Sequence, residues 1–88
     1  MSRRTKLDVI NDILVVIQDK GGSIRPTPLM YKANLSSKLL ASYLKELQSK
    51  GLVDIEESSH RTVRLTGTGY DFIRKFRLMR EFQDAFGL

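Results

Sequence analysis

Apolar residues recur at helical spacing over residues 7–17, 29–33, 39–47 and 72–86, and at alternating spacing over residues 53–65. This pattern predicts four helices and one β-hairpin. In the first helix Ile10, Ile13, Leu14 and Ile17 form a core stripe flanked by Leu7, Val9 and Val16. Thr5 is a candidate N-cap with Asp8 in the first turn, and Gly21-Gly22 ends the helix after about Lys20. Ser23-Ile24-Arg25 reads as an extended link, and Pro26 and Pro28 restrict the backbone where the second helix begins.

The second helix directs Leu29, Met30 and Ala33 inward and stops within three residues of the next helix. Asn34 tolerates a left-handed backbone, Leu35 can turn inward, and Ser36 can cap the following amides. Helix, tight turn and helix form a helix-turn-helix. The third helix runs to Gly51 and gathers Leu39, Leu40, Tyr43, Leu44 and Leu47 on one side. Its opposite side carries Lys38, Ala41, Ser42, Lys45, Gln48 and Ser49, with its one acid, Glu46, at the flank. A face of small and basic residues without acids suits a major groove, although an ordinary solvated face has the same composition.

Beyond Gly51, Val53 and Ile55 alternate with Asp54 and Glu56, and Val63 and Leu65 alternate with Thr62, Arg64 and Thr66. Two short strands around a Ser58–Arg61 tip make a hairpin, placed where a wing follows a helix-turn-helix. His60 and Arg61 at the tip can touch phosphates or a minor groove, while Glu56 and Glu57 oppose a polyanion. Arg64 is expected to pair across the hairpin with Asp54 or Glu56. The glycines at 67 and 69 fit no phosphate-binding loop and are structural, and Thr66 or Thr68 can cap the last helix, expected from about Tyr70.

That helix places Phe72, Phe76, Met79 and Phe86 on one side at near-heptad spacing, with Phe82 at the edge and Gln83 breaking the series. Ile73 and Tyr70 point toward the domain's own core. Such a helix reaches roughly 25 Å. A homodimer through Phe72, Phe76, Met79, Phe82 and Phe86 is the expected use of this surface, with a helix folded back on its own domain as the alternative.

Composition narrows the partners. The 88 residues suffice for one domain with a modest core, and 15 Lys plus Arg against 10 acids leave a net charge of +5, which favours polyanions. Without cysteine there is no disulfide, thiolate metal site or cysteine nucleophile, and an intracellular setting is the simplest reading. Asp8, Asn11 and Asp12 interrupt the N-terminal apolar run, so a signal peptide is not expected, and neither is a membrane span.

One histidine with no nucleophile beside it assembles no catalytic set, so no enzyme is expected. Asp8, Asp12 and Asp19 share the outer face of the first helix but have no further ligand in local reach, so no metal is expected. That acidic stripe should turn away from nucleic acid. No cofactor is implied, and so small a core leaves room for a small-molecule pocket only at a dimer interface. Arg3 and Arg4 form part of a short basic tail able to follow phosphates, although such a tail is often simply solvated.

These elements make a mainly α (α+β) winged helix-turn-helix: three helices and a two-stranded wing over residues 6–69, a basic tail at 1–5, and a C-terminal dimerisation helix at 70–88. The run Pro26, Thr27, Met30, Tyr31, Ala33, Asn34, Leu35 and Ser36, followed after the hairpin by Leu65, Thr66 and Gly69, resembles the small archaeal winged-helix family that includes the ten-kilodalton dimeric chromatin proteins of crenarchaea. The resemblance implies a cytoplasmic, nucleoid-associated binder of double-stranded DNA that dimerises through its C-terminal helix, either architectural or a transcription regulator. On that reading Ser36, Ser37, Lys38, Ser42 and Lys45 serve the major groove, and Arg25, Lys32, His60 and Arg61 serve the backbone or minor groove. A winged helix used for protein contacts in a larger assembly is the alternative.

Overall fold

The computed structural model describes residues 4–88. Helix α1 (Lys6–Asp19) begins at a reciprocal cap: the Asp8 amide donates to Thr5 Oγ1 at 3.1 Å, and the Thr5 amide donates to Asp8 Oδ2 at 3.0 Å. Helix α2 (Pro26–Ala33) ends at Asn34, whose φ of 58° and ψ of 52° lie in the left-handed region. Helix α3 (Ser37–Ser49) follows at once, capped by Ser36 Oγ, which accepts from the Leu39 amide at 3.1 Å. The turn therefore uses the three residue types that its sequence proposes, each in the expected role.

The sheet departs from expectation. Strands β2 (Val53–Glu57) and β3 (Arg61–Leu65) form the hairpin, with Val53 opposite Leu65 and Glu57 opposite Arg61. The supposed link contributes a third strand, β1 (Ser23–Ile24), paired antiparallel to β3 through Ser23–Arg64 and Ile24–Val63. The order is β1-β3-β2. A two-residue strand is too short to display alternation, and it is β3 and the burial of Ile24 that recruit it.

Helix α4 (Gly67–Ala85) starts three residues before the expected Tyr70. Thr66 Oγ1 accepts from the Gly69 amide at 3.0 Å and faces the carbonyls of Gly51 at 2.6 Å and Leu52 at 3.0 Å as a donor, so one hydroxyl caps α4 and ties it to the start of the wing. Gly67 and Gly69 are tolerated in the first turn because that cap fixes the backbone.

The core lies between α1, α2, α3 and the inner face of the sheet, with Ile13, Leu14, Ile17, Leu29, Leu47, Val53 and Val63 fully enclosed. Most of the α3 stripe packs as expected, through Leu40, Leu44 and Leu47 with Tyr43 half-buried. Leu39 does not: it is 46% exposed at the edge of the stripe. Ile73 reaches the core, whereas Tyr70 stays largely exposed with its hydroxyl over Gly22, because that end of α4 rides over the glycine turn. The molecule extends 48 × 28 × 22 Å, and the 19 residues of α4 span about 28 Å of helix.

Candidate nucleic-acid interface

Each helix of the motif positions its polar side chains through its buried ones. Leu40, Leu44 and Leu47 are held in the core, which leaves Ser37, Lys38, Ala41, Ser42, Lys45 and Gln48 exposed on α3. Glu46 is drawn aside by Lys6 of α1, whose Nζ lies 2.8 Å from its carboxylate. The hydrogen bond from Lys6 holds the Glu46 carboxyl below its usual range, and the same contact raises the Lys6 ammonium. The outer face of α3 is therefore free of carboxylates.

Beside this face, α2, α3 and the wing enclose a cleft of about 380 Å³. It gathers Ser37, Lys45 and Arg61 from the expected set, adds Gln48, and brings in Thr27, which the linear pattern does not distinguish from other residues at a helix start. Leu40, Leu44, Met30 and Ile55 line its apolar part.

Other expected contacts lie elsewhere. Lys32 is exposed but borders α1, sharing one surface hollow with Asp19 and Lys20 and another with Arg4, Asn11 and Asp12. Arg25 precedes α2 as its N-cap residue and is exposed, as is His60 at the wing tip. Both wing arginines face carboxylates across the hairpin: Arg64 is 2.8 Å from Glu56, and Arg61 is 3.8 Å from Glu57. At that longer separation, and more than half exposed, Arg61 remains able to turn toward an anion.

The N-terminal arginines divide. Arg3 lies outside the described residues. Arg4 is engaged rather than free: its guanidinium is 2.9 Å from Asp12 and donates to the carbonyls of Ala33 at 3.1 Å and Asn34 at 3.4 Å. The carbonyls left open at the end of α2 attract it to the turn. Asp8 likewise meets Arg80 of α4 at 3.3 Å, so two of the three acids on α1 are matched by the protein's own cations. Sequence inspection misses both pairings because 72 residues separate Asp8 from Arg80 and the N-terminal arm has no periodicity.

A family model described as winged helix-turn-helix matches residues 3–84. The chain belongs to this family. The winged helix-turn-helix is a DNA-binding fold, and solved structures repeat it. Sso10a-2, a DNA-binding protein from Sulfolobus solfataricus, superposes with a TM-score of 0.80 at 17% identity, over 94% of this chain and 85% of that one. A candidate transcriptional regulator from Pseudomonas aeruginosa gives 0.77 at 25% identity, over 90% and 56%. Sco5413, a MarR family transcriptional regulator from Streptomyces coelicolor, gives 0.78 at 12% identity, over 85% and 54%. The winged helix-turn-helix described here thus spans little more than half the length of these two bacterial proteins. No curated protein matches the chain in sequence.

The exposed apolar surface of this winged helix-turn-helix is concentrated on α4. Phe72 is half-buried against its own core, and Phe76 stacks on it at 6.0 Å. Met79, Phe82 and Phe86 are exposed, Phe82 and Phe86 by 60% and 67%, with their rings 4.9 Å apart. The expected interface residues therefore divide into an inner pair that the domain partly covers and an outer set that it does not. Among the described residues, no helix is long and apolar enough to cross a membrane.

Proposed function

We propose that the chain binds double-stranded DNA as a homodimer and acts as a transcription regulator or nucleoid-associated protein in the cytoplasm. The observation that carries this reading is the acid-free outer face of α3, where Ser37, Lys38, Ser42 and Lys45 stand exposed while Glu46 is held aside by Lys6. In a major groove, Lys38 and Lys45 supply charge, and Ser37 and Ser42 supply short donors. Arg25, Arg61 and His60 are assigned to the backbone beside it. Lys32 contributes charge from the α1 side, near the helix-turn-helix turn. Long side chains able to read guanine or adenine are scarce on α3, Gln48 being the one such residue on the outer face, which supports low sequence specificity.

Dimerisation through Met79, Phe82 and Phe86 is supported by their exposure on the outer half of α4, with Phe76 at the inner margin. Two chains would present two recognition helices to one duplex. The alternative, a winged helix used for protein contacts, draws on the same apolar surface and on the carboxylates of Glu56 and Glu57 that offset the wing arginines.

The test is fluorescence anisotropy of a labelled random-sequence duplex at several salt concentrations, comparing the parent with Lys38→Glu/Lys45→Glu. With some six phosphates neutralised per dimer, the logarithm of affinity should fall with the logarithm of salt at a slope of about −5. The double variant should lose binding while remaining folded. A parent that binds no duplex even at low salt would remove non-specific DNA binding and shift the reading to protein partners.

A further inference from the structure

The first turn of α3 carries Ser37, Lys38 and Leu39, and all three are exposed. The core takes hold of this helix from Leu40 onward, through Leu40, Leu44 and Leu47. What precedes α3 therefore decides how its first turn is held: the left-handed Asn34, the half-buried Leu35 and the Ser36 cap. Within that link the amides of Asn34 and Leu35 donate back to the carbonyls of Tyr31 at 3.2 Å and Met30 at 3.1 Å. The carbonyls of Ala33 and Asn34 take a donor from elsewhere. Arg4 Nη1 donates to Asp12 Oδ2 at 2.9 Å and to the Ala33 carbonyl at 3.1 Å, and Nη2 donates to the Asn34 carbonyl at 3.4 Å. One planar guanidinium thus meets a carboxylate of α1 and two carbonyls of the turn, which the point charge of an ammonium on a flexible stem cannot reproduce.

We infer that Arg4 is a positioning residue for DNA recognition: by fastening the turn to Asp12 of α1 it fixes the first turn of α3, and with it Ser37 and Lys38, while making no contact with phosphate itself. The assignment rests on the DNA reading, and it reverses the simpler expectation that a basic N-terminal arm follows the duplex. Arg4 and Asp12 are 40% and 44% exposed, and an ion pair so open to solvent adds little to global stability. Its effect therefore belongs to the order of the turn rather than to the fold. Lys6, two residues on, works in the same direction, since its ammonium holds Glu46 in the later half of α3 at 2.8 Å. The start of α1 thus grips the helix-turn-helix at two points, and the cations that do so are occupied by the protein's own acceptors.

The experiment is the salt-dependent duplex titration of the whole chain, run on Arg4→Gln, Arg4→Lys and Asp12→Ala at a temperature where each is fully folded, with amide hydrogen exchange of the free proteins beside it. Arg4→Gln should weaken the duplex about tenfold, as for one contact impaired in each of two chains, and leave the salt slope unchanged. Arg4→Lys should not restore affinity. Asp12→Ala should weaken binding as well, against the sign expected from removing a negative charge and raising helix propensity. A phosphate contact predicts the reverse on every count: a slope flattened by about 2 per dimer in Arg4→Gln, rescue by Lys, and tighter binding by Asp12→Ala, and any of these would overturn the inference. In the free protein, Arg4→Gln should speed exchange of the Asn34 and Leu35 amides about tenfold while the core amide of Val63 keeps its rate. Unchanged exchange at the turn, or an equal rise at Val63, would also overturn it. A parent that binds no duplex ends the DNA reading and the role of Arg4 in recognition with it, and the two turn amides still decide whether Arg4 orders the turn.

Discussion

Gly69, in the first turn of α4, packs so closely beneath the carbonyl of Leu52 that no side chain fits between them. A Cβ there would also stand 2.6 Å from Leu65 Cδ1. The contact brings the start of the wing and the start of α4 together at one point, beside the Thr66 hydroxyl that bonds to both. Gly69→Ala should therefore destabilise the domain by about 1–3 kcal/mol, the usual cost of overpacking. Two residues earlier, Gly67 has open space around it, and Gly67→Ala should be neutral or stabilising by up to about 1 kcal/mol through helix propensity. Thermal unfolding of the two variants checks the opposite signs.

Asn34 holds the one positive φ among the described non-glycine residues, and the link from α2 to α3 depends on it. Asn34→Gly should leave stability nearly unchanged, whereas Asn34→Ala should cost about 1 kcal/mol and Asn34→Val more, because Cβ meets the following carbonyl in this conformation. Urea unfolding measures the order. Equal effects for all three would mean that the turn relaxes out of the left-handed region.

The ion pairs make a specific statement about pH. Asp8 is held below its ordinary 3.8 by hydrogen bonds with Thr5, Glu46 below 4.5 by Lys6, and Asp71 below 3.8 by Lys75 and then Arg74. A carboxyl whose folded pKa is depressed contributes stability above its unfolded pKa and loses it as pH falls through the folded one. These contributions should be present at pH 6 and lost progressively below about pH 4. Lys6, raised above 10.5 by Glu46, contributes fully below that value and loses its part as pH rises beyond it. Glu46→Gln should flatten part of the acid limb in urea unfolding at low salt. The effect should shrink in high salt, because the groups are exposed and screened.

For the proposed dimer, the outer half of α4 offers the means to separate association from folding. Phe82→Glu/Phe86→Glu places charge where both rings are largely exposed, so the domain should stay folded while sedimentation shifts from dimer to monomer. Duplex affinity should fall with it as the second recognition helix is lost. Phe72→Ala should behave differently, lowering thermal stability, because this ring is half-buried against its own core. A double variant that remains dimeric would move the interface away from Phe82 and Phe86.

The order of elements was legible because each had a local cause. The stripes of α1 and α3, the cap at Thr5, the Asn34–Ser36 turn and the alternation around Val53–Leu65 all involve residues within a few positions of one another. The acid-free face of α3 was legible for the same reason. Thr27 and the cleft were not, because its walls come from Pro26 to Arg61 and no period joins them. Tyr70 was misplaced by a projection that treats the apolar side of a ring as destined for the core, when its hydroxyl keeps it at the edge over Gly22.

By itself, the sequence determined the four helices, the hairpin, the motif they compose and the chemistry of the face that α3 turns outward. Backbone propensity, capping and periodic burial act over three or four residues, and those distances are written along the chain. Only the tertiary structure decided that Ser23–Ile24 joins the sheet, that Arg4 grips the turn, that Asp8 meets Arg80, and that Lys45 and Arg61 border one cleft. Each of these depends on distant segments arriving side by side. Which charges pair and which stay free is then set by packing, since a cation is drawn to whichever carboxylate or open carbonyl the fold brings within reach.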